Sequence, residues 1–301
     1  MFDLIIIGGG PAGMAAAIYA ARAELDFIVI EGSMMPGGQM LTTSDVDNYP
    51  GFPGVGGFEL GTKFAEHAKT LGAKFVTENV VSMKAEGSVK SVTTEKNIYE
   101  SRSIIIATGA VHRKAGVKGE EEYAGRGVSY CSTCDGAFFR NKVTAVVGGG
   151  DVALEDALYL SRLCRQVYLI HRRDGFRAAK SLVTKAEQTG NIEFVLDSVI
   201  DEIKGENKVT SIIYRNKKTD VQSELAVDGV FFAVGMQPVT AYVDKAVARD
   251  DAGYIIAGED CCTNVKGVYA AGDIRTKQLR QIITAAADGA NAVASAEKYL
   301  Q

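Results

Sequence analysis

Two glycine-rich fingerprints stand in one register 140 residues apart, and no other feature of the sequence limits the fold as tightly. Residues 2–7 form a short apolar run leading into Gly8-Gly9-Gly10-Pro11-Ala12-Gly13, after which the alanine-rich stretch from Pro11 to Ala23 reads as a helix. Adding 140 carries Gly8, Gly10 and Gly13 to Gly148, Gly150 and Ala153. Between a strand and a helix, such glycines permit a tight turn and let backbone N–H groups approach a pyrophosphate at the positive helix end. The recurrence is an internal duplication of a dinucleotide-binding unit. The expected fold is α/β, with two Rossmann-like dinucleotide-binding domains, the second inserted in the first.

The two units are suited to different nucleotides. In the first, a strand over Phe27 to Ile30 ends in Glu31, 18 residues beyond Gly13, where a carboxylate can accept hydrogen bonds from an adenosine ribose. In the second, the same position is His171, followed by Arg172, Arg173 and Arg177. A carboxylate repels a 2′-phosphate, whereas arginine forks bind one, so the second unit is expected to prefer NADPH. Its expected contacts are Gly148, Gly150, Asp151, Val152, Ala153, His171, Arg172, Arg173, Arg177 and Gly235.

The rest of the first unit carries the marks of a larger cofactor. Residues 32–57 hold three of the five prolines and no helical or strand period. A loop of that length inside a compact domain is usually functional. Gly38, Gln39 and Asn48 stand where the chain can run along a ligand. A helix is expected over Phe58 to Leu71, with His67 exposed or packed on it. A small β-meander from Ala73 to Ser101 leads to the strand Ile104 to Ile106 and to Ala107-Thr108-Gly109. A second meander is expected near 199–204, 208–215 and 221–227, followed by a run ending in Gly235, the counterpart of Gly109. Past Thr240 no third fingerprint follows. A strand ends at Gly272-Asp273, which suits a ribityl chain, and a helix from about Gln281 to Leu300 starts at Arg280-Gln281-Ile282, which can face a flavin. This tail is read as completing the first domain, giving domains of 1–112 with 244–301 and of 113–243, joined near 112–116 and 236–244.

Inside the second unit lies Cys131-Ser132-Thr133-Cys134-Asp135-Gly136, with only 13 residues separating Cys134 from Gly148. A two-residue gap lets neighbouring thiols close a small disulfide that opens and re-forms easily. Five cysteines in 301 residues do not make a disulfide framework, and Met1-Phe2-Asp3 lacks the basic start of an export signal, so a cytoplasmic location is expected. In a reducing compartment a C-x-x-C is catalytic or metal-binding. A zinc module built from Cys131, Cys134, Cys261 and Cys262 is the alternative, but adjacent cysteines match zinc pairs poorly, and no metal is expected. A net charge of −4 without a like-charged block argues against nucleic acid, and no apolar run is long enough for a membrane span. Cys164 reads as a buried small hydrophobe and His112 as structural.

With these residues assembled, the whole chain resembles the low-molecular-weight thioredoxin reductases of the pyridine nucleotide-disulfide oxidoreductase class. The marks are the Cys131 to Gly136 segment in the second unit, His171-Arg172-Arg173-Asp174-Gly175-Phe176-Arg177-Ala178, and Ala271-Gly272-Asp273 followed by Leu279-Arg280-Gln281. The resemblance implies FAD held by Gly8, Gly10, Pro11, Ala12, Gly13, Glu31 and the loop and tail residues above, NADPH in the second unit, a homodimer, and thioredoxin as partner. It also implies hydride transfer from NADPH to flavin, opening of the Cys131–Cys134 disulfide with Cys134 nearest the flavin and Asp135 handling a proton, and attack by Cys131 on thioredoxin. Many members carry a hydroxyl residue at the position of Val152. A reductase of the same scaffold serving a peroxidase system or a ferredoxin is the rival. The N-terminal placement of the first fingerprint and the basic cluster at 171–177 argue against it.

Overall fold

A computed structural model describes residues 1–43 and 46–301 of the chain. It divides into two compact units, Met1–Val111 with Gln237–Gln301 and His112–Met236.

The first unit opens with strand β1 (Phe2–Ile7), helix α1 (Pro11–Arg22) and strand β2 (Phe27–Glu31). Proline at the first helical position costs α1 nothing, because the N–H it lacks would have had no partner inside the helix. Helix α2 (Gly57–Thr70) and strands β3 (Phe75–Thr77), β4 (Val80–Lys84), β5 (Lys90–Thr94) and β6 (Ile98–Ile106) follow. The loop before α2 contains a 3-10 turn over Gly38–Thr42 and a bridge between Val46 and Val55, local structure that periodicity does not signal. β1, β2, β3 and β6 are parallel neighbours in the order β3-β2-β1-β6. Strand β3 therefore belongs to the parallel sheet, and only β4, β5 and the first half of β6 form the antiparallel meander.

The chain leaves through β7 (Ala110–His112) and enters the second unit. Here β8 (Val128–Ser129), the one-turn helix α3 (Ser132–Asp135), β9 (Val143–Val147), α4 (Asp151–Ser161), β10 (Gln166–Ile170), α5 (Lys180–Glu187) and β11 (Ile192–Val195) come in order. An antiparallel sheet of β12 (Ser198–Gly205), β13 (Val209–Asn216) and β14 (Gln222–Ala226) follows, then β15 (Gly229–Phe232). The parallel sheet has the order β11-β10-β9-β15-β8. Its two faces carry separate cores: α4 and α5 cover Val146, Val167, Leu169 and Phe231, while Ile200, Ile203, Val209 and Ile212 of the antiparallel sheet cover Ala145, Ile170 and Val230. Chain passage back runs through β16 (Met236–Pro238), which pairs with β7.

The tail returns to the first unit as expected for a completing segment. β17 (Val268–Ala270) pairs with the second half of β6, and α6 (Ile282–Leu300) packs on α1 through Ala285, Ala292, Val293 and Ala296. That approach is close: a Cβ on Gly289 would lie 2.1 Å from the Ala12 carbonyl oxygen. Val239, Tyr242, Val243 and Val247 pack with Ile5, Ile28 and Ile104 on the opposite sheet face. No helix among the described residues is long and apolar enough to cross a membrane.

Candidate functional site

Strand β8 delivers its chain directly into the cysteine turn. Cys131 is the residue before α3, and its Sγ accepts from the backbone N–H of Cys134 at 3.2 Å. Cys131 and Cys134 are joined in a disulfide, which removes two of the four thiolates that a zinc reading requires. Both are half-buried. Asp135, next in sequence, accepts a 2.6 Å hydrogen bond from Ser129 Oγ. Burial raises the Asp135 pKa, and the Ser129 bond opposes that rise. A carboxyl with a raised pKa beside a disulfide can hold the proton that a sulfur needs when the bond opens.

Two further groups at this turn carry no sequence motif. Ser132 is buried and donates from Oγ to Asp156 Oδ1 on α4, and burial pushes the Asp156 carboxyl up to about 6. Tyr130 donates to Glu120 at 2.8 Å and stacks on His112 with ring centroids 5.1 Å apart. Glu120 also accepts the backbone N–H groups of Ala115, Gly116 and Val117, which accounts for a carboxylate left only 1% exposed. A hydrophobic pattern cannot reveal these acids, because each is recognised only by the donors that folding brings to it.

The nucleotide loop of the same unit lies between β9 and α4. A Cβ on Gly148 would sit 2.6 Å from the Ala233 carbonyl oxygen, whereas Gly150 faces open space. His171 is buried with its ring against Gly149, where a Cβ would come within 2.1 Å of it, and it stacks on Phe176 at 5.3 Å. The loop carrying the arginines docks on the fingerprint: Arg177 N–H donates to the Gly149 carbonyl at 2.8 Å, and Ala179 N–H donates to Asp151 Oδ1 at 2.7 Å. Arg172, Arg173 and Arg177 are exposed and form no ion pair among the described residues. Val152 is 60% exposed on the first turn of α4, and Ala153 is buried. Gly235 adopts φ +101° and accepts from Arg113 N–H at 3.0 Å.

In the first unit the expected residues gather around the α1 N-terminus. Gly8 takes φ +104°, with the Ala107 carbonyl oxygen 2.5 Å from where a Cβ would be, and Gly13 leaves no room at all, its Cβ position being 1.8 Å from the Gly8 oxygen. Gly10 again faces open space, and Gly38 lies over it. Glu31 accepts from the Gly9 N–H at 2.5 Å and from the Ser33 N–H at 2.8 Å. An open cavity of about 380 Å³ beside it is lined by Glu31, Ser33, Pro36, Lys69, Phe75 and Thr77. Gln39 donates to the Ala110 carbonyl, Asn48 to Gln281 Oε1 at 2.9 Å, and Thr108 Oγ1 lies 2.9 Å from Tyr242 Oη. Gly109 takes φ +66°.

At the far side, Gly272 (φ +80°) and Asp273 precede the α6 start, where Gln281 N–H donates to Thr284 Oγ1 at 3.1 Å. The guanidinium of Arg280 lies 4.2 Å over the Tyr254 ring. Asp273 Oδ1 and Arg280 Nε are buried without a hydrogen-bond partner among the described residues. Burial raises the Asp273 pKa. Buried polar atoms normally find partners, so this pair suits a polar ligand such as a hydroxylated chain. Sequence reading missed what holds the turn: Asp288 on α6, buried, accepts from Arg275 at 2.6 and 2.7 Å, from Lys277 at 2.9 Å and from the Gly272 N–H at 2.8 Å. Burial opposes the Asp288 charge, but Arg275 and Lys277 outweigh it and hold its pKa low. The only signal in the sequence is an acid on the apolar side of the last helix.

Two dinucleotide cradles, the second bearing a disulfide at its edge, define a pyridine nucleotide-linked disulfide oxidoreductase. The chain belongs to the pyridine nucleotide-disulphide oxidoreductase family, whose model matches residues 2–289. It is 46% identical over 302 residues to the thioredoxin reductase of Listeria monocytogenes, covering 100% of this chain and 94% of that one. To the thioredoxin reductase of Peptoclostridium acidaminophilum it is 45% identical over 308 residues, covering 100% and 98%. The crystal structure of thioredoxin reductase from Streptococcus pyogenes superposes with a TM-score of 0.92 at 45% identity, covering 100% of this chain and 98% of that one.

Proposed function

We propose that the protein is an NADPH-dependent thioredoxin-disulfide reductase with FAD in the first unit and NADPH in the second. The observation that carries this reading is the Cys131–Cys134 disulfide lying in the unit whose nucleotide loop bears Arg172, Arg173 and Arg177. FAD, when bound, supplies a two-electron couple between a nicotinamide and a disulfide. The residues that would hold it are Gly8 to Gly13, Glu31, Gly38, Gln39, Asn48, Thr108, Asp273 and the α6 start. The open face of Gly10, the cavity beside Glu31 and the orphaned Asp273 and Arg280 atoms support that assignment. The exposed arginines support a 2′-phosphate on the second nucleotide.

The chain's own part is thiol chemistry. Two electrons break the Cys131–Cys134 bond, and the sulfurs become thiolates that take up protons, one of them by way of Asp135. Cys131, as thiolate, attacks a disulfide sulfur of thioredoxin and displaces the other as a thiolate. Cys134 then attacks Cys131 Sγ, re-forming the internal disulfide and releasing dithiol thioredoxin. Nicotinamide and disulfide belong to one unit and the flavin to the other, so each must reach the same flavin in turn. This supports rotation of the second unit, residues 112–236, as a body on the two connections, with 237–243, expected from the sequence to turn with it, packed instead in the core of the first unit. Hinge motions of this kind take microseconds to milliseconds. A cytoplasmic homodimer completes the reading; free Cys164, Cys261 and Cys262 suit a reducing compartment.

Anaerobic titration with NADPH tests the assignment. Uptake of four electrons per chain, two by flavin and two by the disulfide, followed by their delivery to oxidised thioredoxin, is expected. Uptake of two electrons, or delivery only to a ferredoxin or peroxidase, would overturn it.

A further inference from the structure

The disulfide turn is held between two serine–aspartate pairs. One, Ser129 with Asp135, belongs to the turn itself. The other reaches across to a different element: Ser132, the residue directly after Cys131, is 1% exposed and donates to Asp156 on α4. The duplication shows that the fold does not require an acid there. Subtracting 140 from 156 gives Ala16, which is fully buried in α1. In the first unit, which has no cysteine turn at that helix, an apolar methyl suffices. In the second, the helix keeps a carboxyl despite the burial that disfavours its charge.

We propose that Ser132 and Asp156 are positioning residues for the redox disulfide, fixing the Cys131–Cys134 turn to α4 so that the sulfurs stay paired when their bond opens. The argument is one of effective concentration. Opening the disulfide removes the covalent tie, and the one-turn helix α3 is too short to hold itself. What then keeps Cys131 near Cys134 is whatever restrains the backbone between them. Ser132 lies in that two-residue gap, and its hydrogen bond leads to a helix packed in the core of the unit. A restrained dithiol closes again more readily, whether onto itself or in resolving a mixed disulfide, because the ordering entropy has already been spent. Helix α4 also starts directly after Gly150, its N-cap, so the nucleotide loop and the disulfide turn are carried by one rigid element.

The inference rests on the redox role of the disulfide given above, but its test needs neither NADPH nor thioredoxin. The flavin-loaded enzyme is equilibrated in buffers of reduced and oxidised dithiothreitol. Alkylation and peptide mass analysis then give the disulfide fraction at Cys131 and Cys134. Ser132→Ala should shift the equilibrium constant roughly five- to tenfold toward the dithiol, the usual weight of one hydrogen bond. Asp156→Ala should shift it equally, and the double variant should shift it no further, because both changes break one contact. Asp156→Asn keeps an acceptor for Ser132 and should return the constant to near that of the unmodified enzyme. A residue that merely stabilises the fold would move the melting point and leave this constant alone. An unchanged constant in Ser132→Ala, or multiplied effects in the double variant, overturns the proposal. If one single variant fails to bind flavin, the other decides; if neither folds, the pair is a folding element and the proposal falls. A normal dithiothreitol equilibrium without thioredoxin reduction would instead count against the functional reading alone.

Discussion

The two fingerprints of this chain share a register and differ in what meets their middle glycine. In the first, the strand end offers Glu31, and its carboxylate accepts from the Gly9 N–H at 2.5 Å. In the second, the strand end offers His171, whose ring lies flat against Gly149 and leaves the following arginines exposed. One backbone plan thus presents a carboxylate at one nucleotide edge and guanidinium groups at the other. The same holds one layer down, where buried Ala16 in α1 corresponds to Asp156 in α4. Duplication supplied the cradle, and a handful of side chains divided the labour.

The sharpest way to break this comparison is at the cysteines, which only the second unit has at that place. Cys134→Ser should keep FAD and still accept hydride from NADPH, yet lose thioredoxin reduction by at least about a thousandfold, because no internal disulfide remains to relay electrons. Cys131→Ser should lose it equally. Substantial turnover by either variant would remove the relay. Next in size is nucleotide choice. Replacing Arg172 and Arg173 by alanine should weaken NADPH use by about a hundredfold, since charge-assisted hydrogen bonds contribute roughly 1.5–3 kcal/mol each. NADH use should be spared, and equal losses with both nucleotides would refute the assignment.

A third prediction sets the middle glycines against each other. A Cβ on Gly149 would lie 2.1 Å from the His171 ring, while one on Gly9 would lie 3.0 Å from Glu31 Oε2 and Pro36 Cβ. Gly149→Ala should cost about 1–3 kcal/mol, typical of overpacking, and Gly9→Ala distinctly less. Thermal unfolding of the two variants checks the order. The smallest effect concerns Asp156. Burial raises its pKa from 3.8 to about 6, so the folded chain keeps this proton where the unfolded chain releases it. Stability therefore falls as pH rises between those values and stays lower above them. Asp156→Asn should leave the melting point near pH 4 unchanged and raise it at pH 7–8, corresponding to about 1 kcal/mol or more. A melting difference independent of pH would show that the carboxyl titrates normally.

Periodicity and glycine spacing carried much of the architecture into the sequence. Strand, fingerprint and helix at both ends of the 140-residue shift are backbone matters, set by glycine, proline and alternation of apolar residues, and all are local. The return of the tail was legible for the same reason, as a strand and helix lacking a fingerprint. Strand β3 was misjudged because three residues have no period long enough to distinguish a parallel neighbour from a meander strand. The 3-10 turn at Gly38–Thr42 went unseen for a similar reason.

By itself the sequence determined the duplicated α/β plan, the cysteine pair and the chemical contrast between Glu31 and the arginines after His171. These rest on residue type and on spacing within a few turns of chain. Only the tertiary structure decided which polar side chains support them. Asp288 under Gly272, Glu120 under residues 115–117 and Asp156 under Ser132 are acids whose partners lie between 3 and 24 residues away along the chain. A buried carboxylate is tolerated only where donors converge on it, and convergence is a property of packing that no local pattern of residues records.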